Sequence, residues 1–151
     1  MSTEENSYRN EKVLGLLGKI YQDEMEGITR YLHYSFMIMG HNRIPIQSWF
    51  RSNAQESMDH ATMIGEKITS LGGHPPILAN TAKESNVHTV QQLLQESLDF
   101  EISTLNLYKD LAKLAVEVDD IALEELAREQ VKAETEHADE VRKMLRLPDT
   151  H

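Results

Sequence analysis

The sequence predicts an all-α fold, an antiparallel four-helix bundle with one long crossover, on three observations. Apolar residues recur at helical spacing over nearly the whole chain. They fall into four stretches of about 25 residues, within the ordinary range for long bundle helices. Two of the breaks between them are short, and the third is a long polar segment. The 151 residues are enough for one substantial core, so a single domain over 1–151 is expected.

The first helix is expected over about 12–40, with Leu14, Leu17, Ile20, Met25, Ile28 and Leu32 on its apolar face and Gly40 ending it. The second, about 45–71, opens near Pro45, whose missing N–H costs nothing in a first helical turn. It carries Trp49, Phe50, Ala54, Ala61, Ile64 and Ile68, and stops at LGGHPP (71–76). A polar segment from about Pro75 to Val87 follows. The third helix, about 88–116, is marked by Leu94, Leu98, Ile102, Leu105 and Leu111, and the Asp119–Asp120 pair caps the fourth, about 120–147. Short loops force antiparallel neighbours, whereas a connection of about 13 residues can travel the length of a bundle.

Composition removes several function classes. The formal net charge is −10, the wrong sign for gripping phosphate backbones, so no nucleic-acid partner is expected. No apolar run spans a bilayer and MSTEENSYRNEK is no signal peptide, so neither membrane partner nor export is expected and a cytoplasmic location is the default. Without cysteine, any metal must sit on oxygen and nitrogen ligands.

One pattern occurs twice. Glu24, Tyr31 and His60 recur 77 residues on as Glu101, Tyr108 and His137, each His followed by Ala. Helical rise turns this spacing into geometry: Glu24 and His60 each lie ~23 Å from the first turn, at one level of the hairpin. Glu101 and His137 repeat the arithmetic, so four ligand-type side chains, one per helix, are expected at mid-bundle. Burying them without a cation would cost several kcal/mol per ion. Glu134, three residues before His137, shares its helix face and is placed to bridge two metals. Oxygen-rich ligation with one nitrogen per metal suits iron or manganese. Tyr31 and Tyr108 either serve the site, by hydrogen-bonding ligands or donating an electron, or are core aromatics with a polar handle. The other histidines, His33, His41, His74, His88 and His151, have no partner pattern and are expected on the surface.

Residues 12–147 resemble the ferritin-like superfamily, and bacterioferritins most closely. The resemblance rests on DEMEGITRYLHYS (23–35), ESMDHA (56–61), DFEISTLNLYKDL (99–111) and ETEHADEV (134–141). It implies that Glu24 and His60 bind one iron, Glu101 and His137 a second, and that Glu134 bridges them. The implied activity is oxidation of Fe(II) by O2 or H2O2, with storage of ferric mineral in a homo-oligomeric shell. Three positions qualify it. Ser57 stands where the family has a second bridging Glu, with Glu56 as the available substitute. Met58 falls where bacterioferritins place a haem-ligating methionine, so haem b and simple packing are both open. The sequence closes on RLPDTH, so no fifth C-terminal helix is expected, and assemblies from a dimer to a 24-subunit cage stay open. The alternatives are a non-storage di-iron or di-manganese oxidase or peroxidase, or a bundle catalytically impaired by Ser57.

Overall fold

The computed structural model describes residues 2–77 and 82–146. Among the described residues there are four helices: α1 (Thr3–Met37), α2 (Arg43–Ser70), α3 (Val90–Glu117) and α4 (Ile121–Leu145). The pairs α1/α2 and α3/α4 form two hairpins, and the hairpins meet along α1 and α3. No helix among the described residues is long and apolar enough to cross a membrane.

The expected bounds hold within a few residues, except that α1 begins at Thr3 rather than about residue 12. The reason is local: Ser2 Oγ accepts a hydrogen bond from Glu5 N at 3.2 Å, Glu4 and Glu5 lie in the positive first turn, and Arg9 pairs with Glu5 one turn on. These residues bury almost nothing, so apolar periodicity could not find them. The helix also ends at Met37, short of Gly40, which takes φ 98° in the turn. The expected end of the fourth helix at 147, the closing residues that bear on a fifth helix, and His151 lie outside the described residues.

The helix stops are built from backbone geometry. Gly72 takes φ 82°, which lets Gly72 N reach Thr69 O and Gly73 N reach Ile68 O, both at 3.0 Å. The end of α3 repeats this closure with Asp119 at φ 56° and Asp120 N on Ala115 O at 3.0 Å. Asp120 then caps α4, its Oδ1 accepting from Leu123 N at 2.9 Å. One residue thus ends a helix and starts the next, which fixes the tight α3/α4 turn.

The core is divided. One apolar cluster contains Tyr31, Tyr34, Phe50, Leu94 and Val141, and the other contains Leu17, Ile20, Ile64, Leu111 and Leu123. Between them lies a layer of buried polar groups that includes Glu24, Glu101, Thr104, Gln130 and Glu134.

Asp120→Ala removes the cap of α4 and is expected to destabilise the protein by about 1 kcal/mol, or about 2–4 °C in a chain of this size. Thermal unfolding followed by circular dichroism measures it; an unchanged midpoint would show that the cap does not set the turn.

Candidate metal centre

The polar layer is where the sequence repeat converges. Glu24, Glu101 and Glu134 are 2%, 4% and 3% exposed, an unusual burial for three carboxylates. With His60 and His137 they form two overlapping sets, Glu24–His60–Glu134 and Glu101–Glu134–His137, and the ligand atoms of each set lie within 4.8 Å of one another. Glu134 belongs to both. Its Oε1 is 3.4 Å from His60 Nδ1 and its Oε2 is 4.0 Å from His137 Nδ1. Glu24 Oε2 is 3.5 Å from the same His60 nitrogen.

The two tyrosines cross between hairpins. Tyr108 on α3 donates to Glu24 Oε1 on α1 at 3.1 Å, and Tyr31 on α1 donates to Glu101 Oε1 on α3. Each tyrosine therefore orients the carboxylate of the opposite half, and the exchange closes the α1–α3 seam. Burial pushes both phenols up, and the facing carboxylates push them further, so both hydroxyls stay protonated as donors.

Electrostatics show a cluster short of positive charge. Burial raises the Glu24 carboxyl above its ordinary range, against the opposing pull of His60 and Tyr108. Burial raises Glu101 further, and the adjacent Glu134 adds to it. For His60, burial opposes the charged form, but Glu134 and Glu24 outweigh it and hold the imidazolium to about 10. No Lys or Arg lines the centre among the described residues, and the free space there is about 10 Å³, so the side chains close tightly on one another. His60 Nδ1 is shielded from solvent yet makes no aligned hydrogen bond. Such a nitrogen, faced by two carboxylates, fits a divalent cation, which would displace its proton, take the lone pair so freed and supply the missing charge.

Not every expected residue plays the expected part. Ser57 is buried at 7%, and a Cβ built on Gly27 would lie 2.7 Å from Ser57 Oγ and 3.1 Å from Phe100 Cε1. Ser57 Oγ thus lies close against Gly27, and no carboxylate enters the layer from position 57. Glu56 does not turn to His60 on its own helix; its Oε2 lies 2.6 Å from His137 Nε2 on α4. Met58 is on open surface, 54% exposed, and outside the polar layer. His41 and His74 are exposed as expected, but His33 and His88 are not solitary surface groups, because both contact Glu84. The crossover brings these three together, and helical periodicity says nothing about it.

Several residues of the layer carry no obvious ligand signature. Asn53 and Gln130 are both buried and stand 77 apart, so the same offset that relates the glutamates would have found them. Thr104 Oγ1 donates to Asp23 and ties α3 to α1; their counterparts at the same offset are Gly27 and Phe100. One half of the layer is polar where the other is an aromatic ring over a glycine.

The raised groups fix the sign of the pH response. Glu24 and Glu101 hold protons more tightly folded than unfolded, so their contribution worsens as pH rises above about 4.5. His60 stabilises fully below 6.5, and this is lost as pH climbs through about 10. The metal-free protein should therefore lose stability from pH 6 to 9, while its affinity for a divalent cation rises because binding releases these protons. Glu101→Gln keeps an acceptor for Tyr31 and removes a charge beside Glu134. It should raise the chelator-treated melting temperature at pH 8 by a few degrees, on the order of 1 kcal/mol, and flatten the pH dependence. Unfolding scans across pH, with calorimetry of proton release, check both; a variant less stable than the parent would contradict this electrostatic account.

A bacterioferritin of Desulfovibrio desulfuricans is 29% identical over 134 residues, covering 85% of this chain and 72% of the relative. Among solved structures, ferritin-like diiron-carboxylate proteins from Bacillus anthracis superpose with a TM-score of 0.86 at 23% identity, over 97% of this chain and 100% of theirs. Dps from Thermosynechococcus elongatus superposes at 0.87 and 19% identity, covering 95% and 96%. These superpositions establish the fold. The model of the ferritin-like domain matches residues 14–149, and the chain belongs to that family.

Proposed function

We propose that this chain binds two Fe(II) ions as substrate at mid-bundle and oxidises them with O2 or H2O2, as part of iron storage and detoxification. The observation that carries this reading is the shared carboxylate: Glu134 belongs to both ligand sets, so two cations bound there would be adjacent. The Desulfovibrio bacterioferritin is described as having a diiron site in different catalytic states, which supports iron as the metal. In this reading Glu24 and His60 hold one ion, Glu101 and His137 the other, and Glu134 spans them. Each Fe(II) yields one electron, and the oxidant takes both together with two protons, giving H2O2 from O2 or two waters from H2O2.

The protein's part is placement. Tyr108 and Tyr31 hold Glu24 and Glu101 at fixed angles, so the carboxylates need little rearrangement when iron binds. Glu56, at His137, is the nearest carboxylate able to assist the second ion in place of a bridge from Ser57. Ser57, a buried hydroxyl where a second carboxylate would bridge, favours a singly bridged centre that turns over more slowly than a doubly bridged one. That observation also keeps the second reading in view: a di-iron or di-manganese oxidase or peroxidase without storage. A homo-oligomeric shell and a cytoplasmic location go with the storage reading. Haem b in this reading would sit between two copies of the chain, each offering the Met58 thioether from the open face on which it lies 54% exposed.

Anaerobic Fe(II) titration should reach two ions per chain, and admission of oxygen should give ferric absorption. His60→Ala combined with His137→Ala should slow oxidation at least tenfold, and Glu56→Gln should slow it by a smaller factor. Unchanged oxidation in the double variant would overturn the assignment, and a monomeric native mass would remove storage.

A further inference from the structure

A second cluster of metal-ligating side chains lies on the crossover, away from the mid-bundle layer. His33 stands near the end of α1, and Glu84 and His88 lie in the segment leading into α3. His33 Nε2 is 2.6 Å from Glu84 Oε2, and His88 Nε2 is 2.8 Å from Glu84 Oε1. One carboxylate thus spreads its two oxygens over two imidazoles, and one ligand atom from each residue fits within 4.8 Å of the others.

The local backbone is shaped to make this meeting. Asn86 adopts φ 61°, a left-handed conformation that Asn tolerates better than most side chains, and it turns His88 back towards Glu84. The Asn86 amide donates to Glu84 Oε1 at 2.9 Å, orienting the carboxylate. The contact between His88 and Glu84 is an aligned hydrogen bond. The contact from His33 is not. Its Nε2 is shielded from solvent, presses on Glu84, and has no hydrogen-bonded partner. A pair sharing a proton would be aligned, whereas two ligands of one ion need not point at each other.

We propose that His33, Glu84 and His88 form a site for a single divalent cation of borderline softness, with Zn(II) the best match, which fastens the crossover to α1. Two imidazoles and a carboxylate make a three-ligand set that leaves one tetrahedral position for water. Ligand atoms about 2.1 Å from zinc stand about 3.4 Å apart. The half-exposed side chains reach that spacing by small rotations. A pocket of about 150 Å³ lined by His33 and Glu84 opens beside them and admits the water. Arg30 and Lys83 share its wall, which favours a neutral or anionic fourth ligand over a second cation. The site stands apart from the iron reading, since none of its residues belongs to the mid-bundle layer.

The test compares the full chain with Glu84→Gln and with His88→Ala, equilibrated with Zn(II) and quantified after dialysis. Both variants should bind one Zn(II) per chain fewer than the parent while their Fe(II) stoichiometry is unchanged. Zn(II) should also slow amide exchange over residues 84–90 in the parent and not in the variants. Equal Zn(II) content in all three proteins, or exchange that Zn(II) does not alter, would overturn the proposal and leave the cluster an ion pair.

Discussion

Everything in this fold is arranged around the burial of three carboxylates in one layer between two apolar half-cores. A layer of Glu24, Glu101 and Glu134 works against folding, since each loses its hydration and repels the others. The surrounding structure answers in two ways. Neutral donors from the opposite hairpin, Tyr31 and Tyr108, satisfy one oxygen each, and His60 carries the proton that partly balances the charge. Neither supplies enough positive charge, and a divalent cation would. The cost in the metal-free chain is the counterpart of affinity for metal, because the same repulsion is relieved on binding.

The long helices follow from that requirement. Ligands on four helices meet only if each is held at the same height, and that needs the two hairpins in register over many turns. The closing geometry at Gly72 and Asp119 and the cap at Asp120 set where helices stop. The reciprocal tyrosine bonds and the Asp23–Thr104 bond set the α1–α3 seam. Local capping and a distant site are therefore parts of one alignment.

Much of this was legible in the sequence, for identifiable reasons. Helices with one apolar face write a 3.6-residue period, so all four can be placed, and the doubled Glu/His spacing, with Glu134 added by its place three residues before His137, predicts the meeting of Glu24, His60, Glu101, Glu134 and His137. The first turns of α1 were missed because exposed, cap-stabilised residues leave no apolar period. The direction of Glu56 was not legible either, since sharing a helix face with His60 does not decide which neighbouring helix a long side chain reaches. The His33–Glu84–His88 cluster depends on where an irregular segment crosses α1, and no local pattern encodes that. The 77-residue offset carried more than the glutamates and histidines. Read at every position, it also pairs Asn53 with Gln130 and sets the polar Asp23–Thr104 contact against the Phe100–Gly27 packing, so the asymmetry at Ser57 belongs to a whole side of the layer.

The central claim is that this layer is built for two cations sharing Glu134. Anomalous diffraction at the iron edge, from crystals equilibrated with Fe(II) under anaerobic conditions, tests it most directly. The account predicts two peaks, one bounded by Glu24, His60 and Glu134 and the other by Glu101, Glu134 and His137. A layer without iron, or one holding a single ion with Glu134 bound to nothing else, would contradict it.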